Sequence, residues 1–246
     1  MCWKKDIGVV VLAAGKGTRM GSNLAKVLHR VNGQSMIVHV VGCAVKVSNA
    51  NVIVVVGHQA EQVRDEVLKK FKVSFAIQKE LLGTGDAVKA ALPFFSEGLS
   101  HVVVLCGDVP LIKAATVERL VEFHLHSKNK LTALAVEVDD STGYGRIILD
   151  AEKMLVAICE EADASAEEKK IKLINSGIYC IERKFLTSAL EGLTRDNAQN
   201  EYYLTDLVKI GAADGIKMGV LKTDDPHEVL GVNTPAQLTQ AEQQCR

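Results

Sequence analysis

Ile7-Gly8-Val9-Val10-Val11-Leu12-Ala13-Ala14-Gly15-Lys16-Gly17-Thr18-Arg19-Met20 is the stretch on which the reading of this chain turns. An unbroken apolar, β-branched run suits a strand buried on both faces, as in a parallel sheet, because a half-solvated strand alternates apolar and polar residues. The run ends abruptly in a glycine-rich basic loop that core packing does not explain. Glycines let a backbone pass close to a ligand, their N–H groups can cradle phosphate oxygens, and Lys16 and Arg19 supply countercharge. The competing reading is an ordinary strand–turn with a solvated basic tip.

Outward from this stretch, strand-like and helix-like runs alternate. Lys26 to Val47 carries apolar residues at helical spacing, and Asn51 to Gly57 reads as a second buried strand. Ala60 to Phe71 reads as a helix with Val63, Val67 and Leu68 on one face. Val73 to Ile77 reads as a strand, Ala87 to Phe95 as a helix, and His101 to Asp108 as a buried strand broken by Pro110. Val117 to Ser127 follows as a helix and Leu131 to Val138 as an alternating strand. This order predicts an α/β protein with a mostly parallel, doubly wound sheet, whose ligands bind at the carboxyl ends of the strands. Three informative loops fall at such ends: Gly15–Arg19, Gln78–Asp86 and Gly107-Asp108.

After Asp139 the rhythm changes. Gly143 to Ile148 reads as a turn feeding a strand, Glu161 to Lys172 as an exposed polar excursion, and Leu173 to Ile181 as a strand. Glu182 to Glu191 and Tyr202 to Asp214 read as helices, the latter capped by Thr205 or the residues before it, and Met218 to Lys222 as a late strand. Pro235 to Gln244 reads as a terminal helix capped by Thr234. The expected organisation is one domain over 1–246, with a first part at 1–138, a second at 139–233 and a terminal helix at 234–246.

Composition narrows the function classes. The chain has 246 residues, 48% of them hydrophobic, and a net charge of −1, so no global field argues for nucleic acid or a membrane surface. The amino terminus lacks a signal-peptide stretch and no apolar run approaches a membrane span, which predicts a cytoplasmic protein. Six cysteines at 2, 43, 106, 159, 180 and 245 form no Cys-x-x-Cys pair, so a disulfide framework or zinc site is not expected. His124 and His126 flank Leu125 and point different ways on a helix. The P-loop pattern, the complete dinucleotide fingerprint and the Gly-x-Ser-x-Gly elbow are all missing.

The chemistry therefore lies in a few residues. Asp108 follows a buried strand and a glycine, where it could hold a hard cation such as Mg²⁺ or merely form a turn before Pro110. Gly83-Thr84-Gly85 suits a heterocycle or diphosphate, or a plain helix start capped by Thr84 or Asp86. Glu160, Asn175 and Asn233 are polar residues among apolar ones, and each Asn could simply satisfy a bend.

Seven segments in order carry a resemblance that spans nearly the whole chain. They are Leu12 to Met20 with Lys26-Val-Leu28, Gln78 to Ala87, Gly107 to Ile112, Gly143 to Ile147, Ile174 to Ile178, Asn200 to Asp206, and Glu228 to Asn233. The first resembles the signature of sugar-1-phosphate nucleotidyltransferases. Together they resemble the uridyltransferase domains of bacterial bifunctional N-acetylglucosamine-1-phosphate uridyltransferase/glucosamine-1-phosphate acetyltransferases. The resemblance implies a Rossmann-like nucleotidyltransferase fold and Mg²⁺-dependent transfer of uridylyl from UTP to N-acetylglucosamine-1-phosphate. The products would be pyrophosphate and UDP-N-acetylglucosamine, a peptidoglycan precursor. It implies that Gly15, Lys16, Gly17, Thr18 and Arg19 hold the triphosphate, with Lys16, Arg19 and Lys26 catalytic. Leu12, Ala13, Ala14, Gln78, Gly83 and Thr84 would surround the uridine. Asp108 and Asn233 would hold the metal, and Gly107, Gly145, Glu160 and Asn175 would take the sugar, which would make 1–138 the nucleotide-binding part and 139–233 the sugar-binding part.

Three departures stand out. Ala25 replaces the family's proline before the signature lysine, and Cys106 replaces a common tyrosine before Gly-Asp. The chain also stops at Arg246 with no hexapeptide repeat, so acetyltransferase activity and trimerisation through a left-handed β-helix are not expected. A different sugar or alditol phosphate, or a non-catalytic nucleotide-sugar sensor, are the alternatives on the same scaffold.

Overall fold

The computed structural model describes residues 2–48 and 51–244. Cys245 and the side chain of Cys2 lie outside that description. The strands are β1 (Ile7–Ala13), β2 (Arg30–Val31), β3 (Gln34–Ser35), β4 (Val52–Val56), β5 (Ser74–Ile77), β6 (His101–Cys106), β7 (Leu131–Glu137), β8 (Arg146–Leu149), β9 (Leu155–Cys159), β10 (Leu173–Glu182) and β11 (Met218–Thr223). The helices are α1 (Met36–Val47), α2 (Ala60–Leu68), α3 (Thr84–Ala91), α4 (Ala114–Ser127), α5 (Arg183–Glu191), α6 (Asp206–Ala213) and α7 (Pro235–Gln244). Among these residues, no helix is long and apolar enough to cross a membrane.

The main sheet runs β11-β7-β10-β6-β1-β4-β5, with β8 and β9 attached through β10. β5, β4, β1 and β6 are parallel; β10 runs against both β6 and β7. The sheet is thus mixed but mostly parallel, a Rossmann-like α/β architecture flanked by helices. β1 lies between β4 and β6, with Leu12 opposite Val55 on one side and Cys106 on the other, so the carboxyl ends of three strands reach one edge together. Successive side chains of a strand point to opposite faces. Val9 and Val11 accordingly pack with the cluster that includes α1, α2 and α4. Val10 packs with the cluster formed by α3, α5 and α6.

The structure differs from the sequence reading in five places. The helix read over Lys26 to Val47 begins only at Met36, because Asn32 (φ 49°) and Gly33 (φ 77°) turn a small β2–β3 hairpin ahead of it. An Asn-Gly pair is a strong hairpin signal, since both central positions need positive φ. The helix read from Ala87 begins at Thr84 behind Gly83, and the one read from Tyr202 begins at Asp206. β9 was not foreseen, as its half-exposed residues and irregular pairing with β8 blur any period. β7 is buried almost end to end, where alternation was expected, because it lies between β10 and β11.

One buried group gives the fold a pH dependence. His124 on α4 is fully buried, its Nδ1 lies 2.9 Å from the Thr132 hydroxyl, and its Nε2 has no protein partner. Burial, then the nearby His101 and Lys130, lower its pKa to about 3. The unfolded imidazole gains a proton near pH 6.5 and the folded one much lower, so stability is complete above about pH 7. Below that it falls by up to about 1.4 kcal/mol per pH unit. Urea midpoints should drop between pH 7 and 5.5, and His124→Leu should flatten the slope. An unchanged slope in the variant would contradict this assignment.

Candidate functional site

The site is built from the carboxyl edge of β1, β4, β5 and β6. Beyond β1, Gly17 adopts φ 67°, and a Cβ there would lie 2.3 Å from Lys26 Cβ. The glycine thus lets the basic loop close onto Lys26, which opens a short 3-10 turn, Lys26–Leu28. Gln59 holds the intervening segment from the far side: its Oε1 accepts from Ala25 N at 2.7 Å and its Nε2 donates to Asn23 O at 2.7 Å. Gly17→Ala should cost about 1–2 kcal/mol from the left-handed backbone alone, before the clash is relieved. Denaturation midpoint and activity should both fall, and retention of both would contradict the packing argument.

The charged centre lies where the loop, β6 and the segment before α7 meet. Lys26 Nζ donates to Asp108 Oδ2 and, at 2.9 Å, to Asn233 Oδ1. Arg19 Nη2 donates to the same Asn233 oxygen at 3.0 Å. Asn233 Nδ2 donates to Gly231 O at 3.2 Å, so the amide oxygen faces the cations. Two oxygens from residues 125 apart (233 − 108) thus converge on one ammonium. Lys16 is exposed and makes no ion pair among the described residues; with Gly15, Gly17 and Thr18 it borders an open recess shared with His58 and Lys79.

Two cavities adjoin this centre and share Leu12, Thr84, Cys106 and Asp108. The first, about 240 Å³, is lined by Leu12, Ala13, Ala14, Gly15, Lys26, Gln78, Gly83, Thr84 and Glu201 among others. Gln78 is buried, and its Nε2 is committed to Gly83 O (3.0 Å) and Asp86 Oδ2 (2.8 Å), which leaves only Oε1 as its acceptor toward a ligand. Gly83 (φ 110°) permits close backbone approach: a Cβ there would lie 2.6 Å from Tyr202 O. Thr84 Oγ1 accepts from Leu204 N at 3.0 Å and does not cap its own helix.

The second cavity, about 300 Å³, is lined by Arg19, Asp108, Tyr144, Gly145, Glu160, Asn175, Asn233 and others. A Cβ on Gly145 would lie 3.4 Å from Glu160 Oε2 and 3.6 Å from Asn175 Cβ, so these three residues form one wall. Burial raises the Glu160 pKa, against the hydroxyl of Thr205, which donates to Oε1 at 3.0 Å. Thr205 stands at the N-cap position of α6 but makes no cap bond, because its hydroxyl serves Glu160. Asn175 meets the bend expectation: its Oδ1 accepts from Gly177 N at 3.1 Å, within a bulge of β10 where Gly177 has φ 76°. Its Nδ2 donates to the Tyr179 hydroxyl at 2.6 Å. Gly107 is buried and lines neither cavity; a Cβ there would lie 2.8 Å from Leu12 O, which accounts for the glycine by packing.

Thus Leu12, Ala13, Ala14, Gly15, Arg19, Lys26, Gln78, Gly83, Thr84, Asp108, Gly145, Glu160, Asn175 and Asn233 come together around two joined cavities. Gln59 and Glu201 were not singled out from the sequence, and Thr205 was read there only as a helix cap. They serve other site residues or one cavity wall, and only the Asn200–Asp206 segment gave a hint of the last two.

Comparison with known proteins places the chain in a family. The MobA-like NTP transferase domain profile matches residues 9–198. The bifunctional protein GlmU of Geotalea uraniireducens (strain Rf4) is 44% identical over 98% of this chain and 53% of its own length. Those of Clostridioides difficile (strain 630) and Pelotomaculum thermopropionicum are 44% and 45% identical, over 96% and 98% of this chain and 51% and 52% of their own. The chain spans about half the length of the curated relatives it matches. With the profile covering most of the sheet and the basic loop, the chain belongs to the MobA-like NTP transferase family.

Proposed function

We propose that this chain is a UDP-N-acetylglucosamine pyrophosphorylase, transferring uridylyl from UTP to N-acetylglucosamine-1-phosphate in the cytoplasm. The observation that carries the reading is the meeting of two cavities at Arg19, Lys26, Asp108 and Asn233. A reaction that joins two anionic substrates needs adjoining pockets with countercharge at the junction.

In this reading the base lies in the first cavity, where Gln78 Oε1 accepts the N3–H of uracil; cytosine, with an acceptor at N3, would be disfavoured. Gly15 to Arg19 receive the triphosphate. Gly145, Glu160 and Asn175 take the sugar, with Glu160 Oε2 and the second hydrogen of Asn175 Nδ2 left for its hydroxyl and N-acetyl groups. A phosphate oxygen of the sugar-1-phosphate attacks the α-phosphorus, the new P–O bond forms, the α–β bridge breaks, and its electron pair leaves with pyrophosphate. The protein contributes in-line positioning and charge stabilisation and forms no covalent intermediate. Lys26 reaches from the proposed cation ligands toward the α-phosphate, and Arg19 and Lys16 steady the charge of the departing pyrophosphate.

The donor set fits a divalent cation: a carboxylate and an amide oxygen already share one positive group, and Mg²⁺ takes few protein oxygens beside ligand phosphates. Bound between Asp108 and Asn233, Mg²⁺ would supply Lewis-acid polarisation of the phosphates. The test is pyrophosphate release with four nucleoside triphosphates against several sugar-1-phosphates. UTP with N-acetylglucosamine-1-phosphate should be the best pair. Nucleotide binding without turnover for any pair would overturn the reading in favour of a sensor.

A further inference from the structure

The segment Glu228-Val-Leu-Gly-Val-Asn233 ends on a proposed cation ligand, yet its first residue lines neither cavity. Glu228 is 7% exposed and closes a short 3-10 turn, Pro226–Glu228. A buried carboxylate is costly unless its oxygens are paired. Both are: Oε1 accepts from Lys113 Nζ at 2.5 Å and Oε2 from the Thr116 hydroxyl. Lys113 is the N-cap of α4 and Thr116 lies in its first turn, so the negative charge sits where the helix dipole favours it.

From this anchor the chain runs straight to the charged centre. Val232 N donates to Asp108 O at 2.8 Å, and Gly231 O accepts from Asn233 Nδ2, the bond that turns Oδ1 toward Arg19 and Lys26. Beyond Asn233 the path is fixed again. Gln237 Oε1 accepts from Asn233 N (2.8 Å) and Thr234 N (3.1 Å), and Thr234 Oγ1 accepts from Gln237 N at 3.3 Å. This reciprocal capping box holds the start of α7. The orientation of Asn233 therefore depends on a five-residue stretch clamped at both ends, with Glu228 as the upstream clamp.

We infer that Glu228 is a positioning residue for the cation site, acting through the backbone that aims Asn233 Oδ1 beside Asp108. The inference rests on the reading of Asp108 and Asn233 as cation ligands. Groups that orient ligands typically govern metal affinity by 10–100-fold.

Mn²⁺ binding to the full chain, followed by loss of the free-ion electron paramagnetic resonance signal, tests this without turnover. Glu228→Ala should weaken Mn²⁺ binding about tenfold. Glu228→Gln, which can keep the Thr116 contact, should recover part of it, and Thr116→Val should weaken binding in the same direction. Ile181→Val, a core change in β10, should lower the melting temperature without moving Mn²⁺ affinity. If Glu228→Ala does not fold, Thr116→Val carries the same comparison. Wild-type Mn²⁺ affinity in the Glu228 and Thr116 variants, with binding lost in Asp108→Asn, would overturn the positioning role and leave the cation site standing. Undiminished binding in Asp108→Asn would overturn both.

Discussion

Asp108→Asn is expected to lower Mg²⁺-dependent pyrophosphate release by about 10³-fold, roughly 4 kcal/mol of transition-state stabilisation. Asparagine keeps the shape of the side chain and can still accept from Lys26, so the change removes charge and little else. The backbone carbonyl of residue 108, which accepts from Val232 N, is untouched, so the fold should persist. The loss should therefore appear in turnover while the melting temperature moves little. Near-normal turnover at saturating Mg²⁺ would remove Asp108 from the cation site.

Lys26→Met should lower kcat by about 10²-fold, near 3 kcal/mol, with a smaller change in KM for UTP. Methionine retains the aliphatic stem against which Gly17 packs and removes only the ammonium. That ammonium occupies the position between Asp108 and Asn233, so it competes with a divalent cation for the same two oxygens. The variant should thus lose turnover without losing Mn²⁺ affinity. Parallel loss of both, or turnover close to wild type, would contradict the assignment of Lys26 to the phosphates.

Much of this arrangement was readable from the chain alone, for identifiable reasons. β1, β4 and β6 are buried on both faces, and an unbroken apolar run is the direct trace of that burial. The basic loop and Asp108 were legible as site material because each follows the carboxyl end of such a strand, and Gln78 to Asp86 because it follows the shorter, partly exposed β5. The antiparallel course of β10 was not legible, since a buried strand reads alike in either direction. The helix read from Lys26 overran a hairpin that Asn32-Gly33 could have betrayed.

The residues missed share a physical character. Gln59, Thr205 and Glu228 act through partners at least 34 positions away, on Ala25, Glu160 and the pair Lys113–Thr116. Local pattern carries no trace of such pairings. Conversely, Gly107 and Asn175 show that a residue can stand in a site motif for reasons of packing or backbone bonding that the structure alone displays.

Two cavities joined at Arg19, Lys26, Asp108 and Asn233 should bring UTP and a sugar-1-phosphate together for uridylyl transfer. ³¹P nuclear magnetic resonance of the protein with UTP, N-acetylglucosamine-1-phosphate and Mg²⁺ reads this out without a coupled assay. Diphosphate-sugar and pyrophosphate signals should grow in equal amounts as both substrates fall. Unchanged spectra, or pyrophosphate appearing with uridine monophosphate and no sugar nucleotide, would contradict it.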